Sequence, residues 1–332
     1  MTSPPLTDAF GRVHRSLRVS VTDRCNLRCR YCMPAEGMPW LSRDVVLTDD
    51  EFVRLTALFA RLGITDLRVT GGEPLVRAGL PALLARMRVL PGVREMAITT
   101  NGVLLADRID DLVAAGVDRV NVSIDSLDPE RFATITRRDD LQRVLEGLAA
   151  CEGYERFRPI KVNAVVLRGV SEDDVLPLAE LARRRPYVVR FIEAMPLDAE
   201  REWAREHVMP GEEVRALVEA RWPLVPAGRE RPAAPGTTWR FADGAGTLQF
   251  VNSVTQPFCQ SCDRLRLTAD GMLRTCLFAD VETDLRTPLR ADAGDADLEA
   301  IIRAAVLEKK AGHGIGTPGW RYDGRPMSMI GG

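Results

Sequence analysis

The sequence predicts an α/β protein built on a parallel sheet covered by helices. Three observations carry this. Short β-branched runs alternate six times with amphipathic helical patterns. The runs are largely apolar, as strands buried on both faces are. A helical stretch separates each run from the next, which supplies the crossover that parallel pairing needs. Six units fall short of the eight of a closed barrel. Two architectures stay open on spacing alone: a partial barrel with a lateral opening, or a flat doubly wound sheet.

Residues 1–15 read as a polar arm. The first strand, 17–21, places Leu17, Val19 and Val21 on alternate positions. Thr48-Asp49-Asp50-Glu51 has capping-box spacing and opens a helix that Gly63 stops. The second strand, 66–70, runs into Gly71-Gly72-Glu73-Pro74 and a helix near 80–89. The third, 96–99, leads through Thr100-Asn101-Gly102 to a helix over about 107–115. The fourth, 119–124, ends at Asp125-Ser126, with helical segments up to 150. The fifth, 160–167, precedes a helix begun by Ser171-Glu172-Asp173-Asp174. The sixth, 188–192, ends in Glu193-Ala194-Met195 before a helix near 211–221. Prolines 223, 226, 232 and 235 then mark a linker. Beyond it lie strands at 247–251 and 265–268, and a turn at Ala269-Asp270-Gly271-Met272 into a strand at 273–277. A last helix covers about 297–310, and a Gly-rich tail ends Ile330-Gly331-Gly332. The expected division is 1–222, a linker region 223–246, and 247–332. Nearly every polar oddity falls at or just past a strand end, the edge where parallel α/β folds host their sites.

With 332 residues, 45% of them apolar, the chain can bury one large core or two. A net charge of −2 excludes nucleic-acid binding through bulk charge. No apolar run approaches membrane-span length and no signal-peptide core opens the chain, so a cytoplasmic protein without membrane partners is expected. Seven cysteines, an odd number, argue against a disulfide framework in that compartment. They fall as three, one and three. Cys151 stands alone at the end of an apolar helical pattern and reads as a small buried hydrophobe.

Cys25, Cys29 and Cys32 form a C-x3-C-x2-C set on the loop after the first strand. Three thiolates within eight residues can converge on one metal centre. A structural zinc site wants four ligands, and no fourth Cys or His lies nearby. An iron–sulfur cube has four corners too, so three cysteines leave one iron open for chemistry. A zinc knuckle or a closed electron-transfer cluster would use the same residue types. Cys259, Cys262 and Cys276 make a second set, C-x2-C-x13-C, again without a fourth cysteine. A zinc ribbon would repeat the C-x2-C, and Cys151 is the available fourth thiol. Between these cysteines, Arg264 and Arg266 flank Leu265 on a strand, so both face away from it. Arg18, Arg68 and Lys161 likewise interrupt apolar strands. Such charges are costly unless paired or facing a polar cavity, and together they suit a polyphosphate or carboxylate. Arg18 or Lys161 could instead pair with Glu73, Asp125 or Glu193.

The first cysteine set, with Tyr31 just before its last member, resembles the signature of radical S-adenosylmethionine (SAM) enzymes. Over nearly the whole chain the constellation resembles one family among them, the GTP 3′,8-cyclases. The resemblance rests on Leu6-Thr7-Asp8-Ala9-Phe10-Gly11-Arg12, the cysteine loop, Arg68-Val69-Thr70-Gly71-Gly72-Glu73-Pro74 and Thr99-Thr100-Asn101-Gly102. It continues through Asn121-Val122-Ser123-Ile124-Asp125-Ser126-Leu127-Asp128, Arg190-Phe191-Ile192-Glu193-Ala194-Met195, the second cysteine set with its arginines, and the terminal Gly-Gly. The Pro-rich stretch matches only loosely.

The resemblance implies a partial (β/α)6 TIM-type barrel whose lateral opening is closed by a C-terminal α+β extension. It implies two [4Fe-4S] clusters, one on Cys25, Cys29 and Cys32 and one on Cys259, Cys262 and Cys276. It places SAM against Tyr31, Gly72, Ser123 and Met195, and GTP against Arg18, Arg68, Thr99, Lys161, Arg264, Leu265 and Arg266, with Arg266 also catalytic. The implied reaction is removal of the ribose 3′ hydrogen by a 5′-deoxyadenosyl radical and attack of C3′ on guanine C8, the first step of molybdenum cofactor biosynthesis. The tail would reach into the active site. Implied partners are a reductant protein such as flavodoxin or ferredoxin and, in the pathway, cyclic pyranopterin monophosphate synthase. The chain is expected as a monomer or homodimer. Two other readings use the same residues: a peptide-modifying radical SAM enzyme with an auxiliary cluster, and a non-catalytic zinc or electron-transfer protein.

Overall fold

In the computed structural model, which describes residues 4–317 and 319–331, each apolar run becomes a strand and each amphipathic pattern a helix. The first two-thirds runs β1 (Ser16–Ser20), α1 (Asp49–Arg61), β2 (Asp66–Thr70), α2 (Leu80–Arg88), β3 (Glu95–Thr100), α3 (Leu105–Ala114) and β4 (Arg119–Ser123). It continues with α4 (Pro129–Thr136), α5 (Leu141–Glu152), β5 (Ile160–Val166), α6 (Val175–Arg184), β6 (Tyr187–Glu193) and α7 (Gly211–Glu219). The remainder holds β7 (Leu224–Gly228), β8 (Thr237–Phe241), β9 (Thr247–Val251), β10 (Arg264–Leu267), β11 (Met272–Arg274) and β12 (Thr283–Asp284). Helices α8 (Arg286–Arg290), α9 (Asp295–Leu307) and α10 (Met327–Ile330) complete it. The expected capping box is present: Thr48 Oγ1 accepts from the Glu51 amide at 3.2 Å, and Glu51 returns the bond at 2.7 Å.

All strands join one sheet, ordered β12-β11-β10-β1-β2-β3-β4-β5-β6-β9-β8-β7. From β1 to β6 every neighbour is parallel, as the helical crossovers require. The C-terminal region then lengthens both edges. β10 pairs parallel with β1, and β9 pairs parallel with β6. The sheet forms a partial barrel, and its two outermost strands do not pair. Side chains instead join the loop between β7 and β8 to the start of β10: Arg231 pairs with Asp263, and Arg264 donates to the Ala233 carbonyl at 3.2 Å. Helices α1 to α6 cover the outer face through a continuous core that includes Phe52, Phe59, Leu84, Leu112, Leu148 and Leu178. Cys151 is fully buried in that core on α5. Among the described residues, no helix is long and apolar enough to cross a membrane.

Two expectations change. The stretch 223–246 is not a bare linker, because it carries β7 and β8, paired antiparallel. Its prolines conceal the pattern. Pro226 is tolerated because β7 is the exposed outermost strand. Trp222, just before β7, packs edge to face on Phe241 of β8 at 6.1 Å, and β8 pairs with β9 to join the hairpin to the sheet. Nor is the N-terminal stretch a polar arm. Leu6, Asp8, Arg12 and His14 are buried. Arg12 pairs with Asp8 at 2.6 Å and donates to the carbonyls of Cys259, Lys310 and Ala311 at 2.7–2.9 Å. It clasps the second cysteine loop to the segment after α9.

Burial, and then nearby Lys309, push His14 down to about 4. The unfolded chain takes up that proton near pH 6.5. Stability therefore falls as pH drops from about 6.5 to about 4, by up to about 1.4 kcal/mol per pH unit. His14→Gln should flatten that slope in urea unfolding measured across this range; an unchanged slope refutes the assignment.

Candidate active site

The C-terminal ends of β1 to β6 and the loops leaving them surround a cavity of about 260 Å³. At its rim lie Cys25, Cys29 and Cys32. Their loop is held by a close backbone approach: the Gly72 and Glu73 amides donate to the carbonyls of Thr22 and Arg24, each at 2.8 Å. A Cβ on Gly71 would stand 2.5 Å from the Thr22 carbonyl oxygen, and one on Gly72 would stand 2.5 Å from those of Asp23 and Arg24. Only glycine fits between the two loops.

The carboxylates near this loop serve the backbone. Glu73 accepts from the amides of Leu75 and Asn101 and from Thr100 Oγ1, at 2.7–3.0 Å. Burial pushes its pKa up to about 7. Asp125 accepts from Tyr31 Oη at 2.6 Å and from the Val165 amide at 2.8 Å, so it ties the cysteine loop to β5; burial raises it to about 6. Glu193 caps Gly211 and the 254–255 turn. None of the three pairs with Arg18 or Lys161, contrary to the option the sequence left open.

Deeper in the cavity the wall is cationic. Arg266, Arg18 and Arg68 occupy matching positions on β10, β1 and β2, three guanidiniums side by side across the sheet. Arg264 and Arg190 join them in the lining. The partners of these arginines are neutral: Thr99 Oγ1 for Arg68 at 3.4 Å, Gln249 and Asn163 for Arg190, backbone carbonyls for Arg264 and Arg266. Among the described residues no carboxylate forms an ion pair with any of the five. Burial first, and then mutual repulsion, push Arg18 well below its ordinary value and Arg68 and Arg266 to about 9. Burial pushes Arg190 to about 10. The carbonyl that Arg266 holds belongs to Gly331, so the tail enters this chamber; Gly332 lies outside the described residues.

Cys259, Cys262 and Cys276 border an adjoining cavity of about 80 Å³. The two cavities share Met195, Ser253, Phe258, Arg264, Arg266 and Leu277, so both cysteine sets open on one arginine-lined space. His313 has been brought to the wall of the smaller cavity. Its Nδ1 accepts from the Ile315 amide at 3.0 Å, and its Nε2 therefore donates to the Ser253 carbonyl at 3.1 Å. Both ring nitrogens are engaged, so neither is free to ligate a metal. Lys309, buried, donates to the Arg264 carbonyl at 2.8 Å and stands 3.9 Å from Cys262 Sγ.

Of the residues singled out from the sequence, Arg18, Cys25, Cys29, Tyr31, Cys32, Arg68, Gly72, Thr99, Ser123, Met195, Arg264 and Arg266 line the larger cavity. Leu265 does not: it points into the core, as its place between two inward-facing arginines dictates. Lys161 is outside the lining too, covered by Glu230. Arg190 was missed, although it interrupts the apolar run of β6 as Arg18 and Arg68 interrupt theirs. Ser328 of α10, which hydrogen-bonds Cys32, gives no local signal. Lys309 and His313 arrive by the tertiary path alone.

The donors present fit iron–sulfur clusters. Each set offers three thiols around a shared void. Among the described residues, no three His, Cys, Asp or Glu side chains converge as they would on a single ion. Sulfur acceptors are met by donors: Cys25 Sγ by the Leu27 amide at 3.4 Å and Asn101 Nδ2 at 3.8 Å, Cys262 Sγ by Lys309. Burial raises all three thiols of the first set, Cys25 to about 11 and Cys32 to about 12. Metal coordination is what would hold them as thiolates.

Residues 19–182 match the Radical SAM superfamily and residues 187–315 match Molybdenum Cofactor Synthesis C. The fold is similar to SuiB of Streptococcus suis bound to S-adenosylmethionine, with a TM-score of 0.57 at 13% identity over 89% of this chain and 67% of that one. Fold and cysteine loop together define a radical SAM enzyme. The chain is 49% identical over its full length to a GTP 3′,8-cyclase of Mycobacterium sp. (strain KMS), covering 95% of that protein. It is 48% identical to a GTP 3′,8-cyclase of Streptomyces coelicolor, over 98% of this chain and 96% of that one. The chain belongs to the GTP 3′,8-cyclase family, which does not favour the peptide-modifying alternative.

Gly72→Ala should force the cysteine loop off the 71–73 turn. Iron analysis after anaerobic reconstitution should then show loss from the first cysteine set with iron on the second retained; full occupancy of both would show that the loop tolerates the Cβ.

Proposed function

We propose that the protein converts GTP into (8S)-3′,8-cyclo-7,8-dihydroguanosine 5′-triphosphate, using SAM and two [4Fe-4S] clusters, at the start of molybdenum cofactor biosynthesis. The observation that carries this is the chamber itself: five arginines in its lining, none paired with a carboxylate among the described residues, set between two sets of three thiols. A triphosphate supplies the missing negative charge in a form that guanidinium groups bind bidentately.

Cys25, Cys29 and Cys32 would hold the first cluster, and Cys259, Cys262 and Cys276 the second. When bound, the first cluster and SAM supply a 5′-deoxyadenosyl radical able to take the ribose 3′ hydrogen. The chain's own residues position and shield. Gly72 admits the amino-acid end of SAM beside the cysteine loop, with Ser123 and Met195 bounding the nucleoside end. Arg18, Arg68 and Arg190 receive the triphosphate, with Thr99 beside them. Arg264 and Arg266 stand on the wall shared by both cavities, so they orient the substrate's base toward the second set. The tail, at Arg266, covers the chamber and keeps water from a reactive carbon.

Seven unpaired thiols suit a reducing compartment, so the cytoplasm is the proposed location, with flavodoxin or ferredoxin as electron donor. The product would pass to cyclic pyranopterin monophosphate synthase. A monomer or homodimer is proposed, because every residue invoked comes from one chain.

The deciding experiment is an anaerobic reaction with GTP, SAM and a strong reductant, with products identified by mass. The cyclised nucleotide is expected, from protein carrying about eight irons; two zincs and no colour would exclude the reading. Cys276→Ala should retain part of the SAM cleavage and abolish cyclisation, so equal loss of both would contradict the separation of roles. Arg266→Ala should weaken GTP binding more than SAM binding when each is titrated separately.

A further inference from the structure

Lys161 stands apart from the other basic residues of the chamber. On β5 it precedes Asn163 by two positions and Val165 by four, and both of those line the larger cavity. The alternation of a strand places all three on one face, with Lys161 the deepest. Yet its side chain is 3% exposed and forms no part of the wall. Glu230 covers it: both carboxylate oxygens accept from Nζ, at 2.7 and 2.8 Å.

Glu230 is unlike the carboxylates that serve the backbone near the cysteine loop. It comes from the loop joining β7 to β8, at the exposed edge of the sheet, and its side chain is 44% exposed. Gln249 Nε2 donates to the same carboxylate at 2.9 Å, while its Oε1 accepts from Arg190 Nε and Nη2 at 3.0 and 2.9 Å. Glu230 therefore meets the arginine chamber through one neutral relay. It can leave without breaking a strand, since the Glu230 contacts are side chain to side chain.

We propose that Glu230 is a built-in stand-in for a phosphate: it holds Lys161 while the chamber is empty, and the polyphosphate of the nucleotide displaces it, making Lys161 the floor of the substrate cavity. The inference rests on the reading of the substrate as GTP. Electrostatics give the stand-in a purpose. Burial, Arg190 and Arg119 push the Lys161 amine down to about 8, and the Glu230 carboxylate works against them. An anion beside this buried amine favours its charged form, and Glu230 supplies one from within the chain. A polyphosphate, more highly charged, would take the place of that carboxylate at Nζ.

The test is anaerobic calorimetry on the full chain with inorganic tripolyphosphate and with GTP. Glu230→Gln removes the competing charge and should bind tripolyphosphate roughly three- to tenfold more tightly than wild type. Lys161→Met should weaken binding, and adding Glu230→Gln to it should then change little. Glu230→Ala, melted alongside, shows whether the loop needs the side chain to fold. Unchanged or weaker binding by Glu230→Gln with an unchanged melting temperature overturns the proposal. So does a Glu230→Gln effect that persists without Lys161. GTP that fails to compete with bound tripolyphosphate would instead refute the nucleotide reading while leaving the displacement standing. No tripolyphosphate binding by any variant would sink both.

Discussion

Three guanidinium groups in register across adjacent strands set the terms for the rest of the molecule. Arg266, Arg18 and Arg68 sit at paired positions on β10, β1 and β2, at strand spacing, with Arg264 and Arg190 in the lining of the same cavity. Like charges gathered in one cavity, with no carboxylate paired to them among the described residues, oppose folding. A small domain could not carry several of them. This chain can, because the same strands put their other faces into a continuous apolar core: Leu17 and Val19 of β1, Leu67 and Val69 of β2, and Leu265 and Leu267 of β10. The alternation that aims the arginines inward is the one that buries their neighbours outward. Stability and binding charge come from one strand geometry.

That coupling explains the C-terminal region. Six βα units leave a lateral gap, and an arginine-lined chamber open at the side would be screened by water and salt. β10 enters beside β1 and contributes two arginines of its own, while β9 enters beside β6 and brings Gln249 to Arg190. The Arg12 clasp fastens the N-terminal segment to the second cysteine loop and to the residues after α9. Lengthening the sheet at both edges and enlarging the charge cluster are therefore the same act, performed by residues far apart in sequence.

The legible part of this was whatever a strand period or a local spacing records. Both cysteine sets, the Gly71-Gly72-Glu73 turn, the capping box at Thr48, and arginines breaking apolar runs could all be read directly. Arg190 carried the same signal and was legible in principle. Leu265 was assigned to the substrate through the resemblance alone, against its own alternation with Arg264 and Arg266, and the alternation prevailed. The hairpin of β7 and β8 was hidden because proline counts describe composition, whereas an exposed edge strand tolerates proline. Asp8, Arg12 and His14 were hidden for a different reason. A charged segment reads as solvated unless its partners are known, and those of Arg12 beyond Asp8 are carbonyls roughly 250 to 300 residues away. No local pattern encodes a contact of that kind.

The two cysteine sets also differ in a way the spacing could not show. Around the first, burial raises every thiol, and acidic neighbours add to it at two of them, Glu73 beside Cys25 and Asp125 beside Cys29. Around the second, burial raises Cys259, but at Cys262 Lys309 and Arg264 outweigh burial and lower the thiol. The difference lies in which side chains the strands and loops bring up to each set: carboxylates accepting from the backbone beside the first, and beside the second a lysine from the segment after α9 and an arginine of β10. Spacing along the chain fixes how many thiols converge, while the charge set against them is a product of the tertiary path.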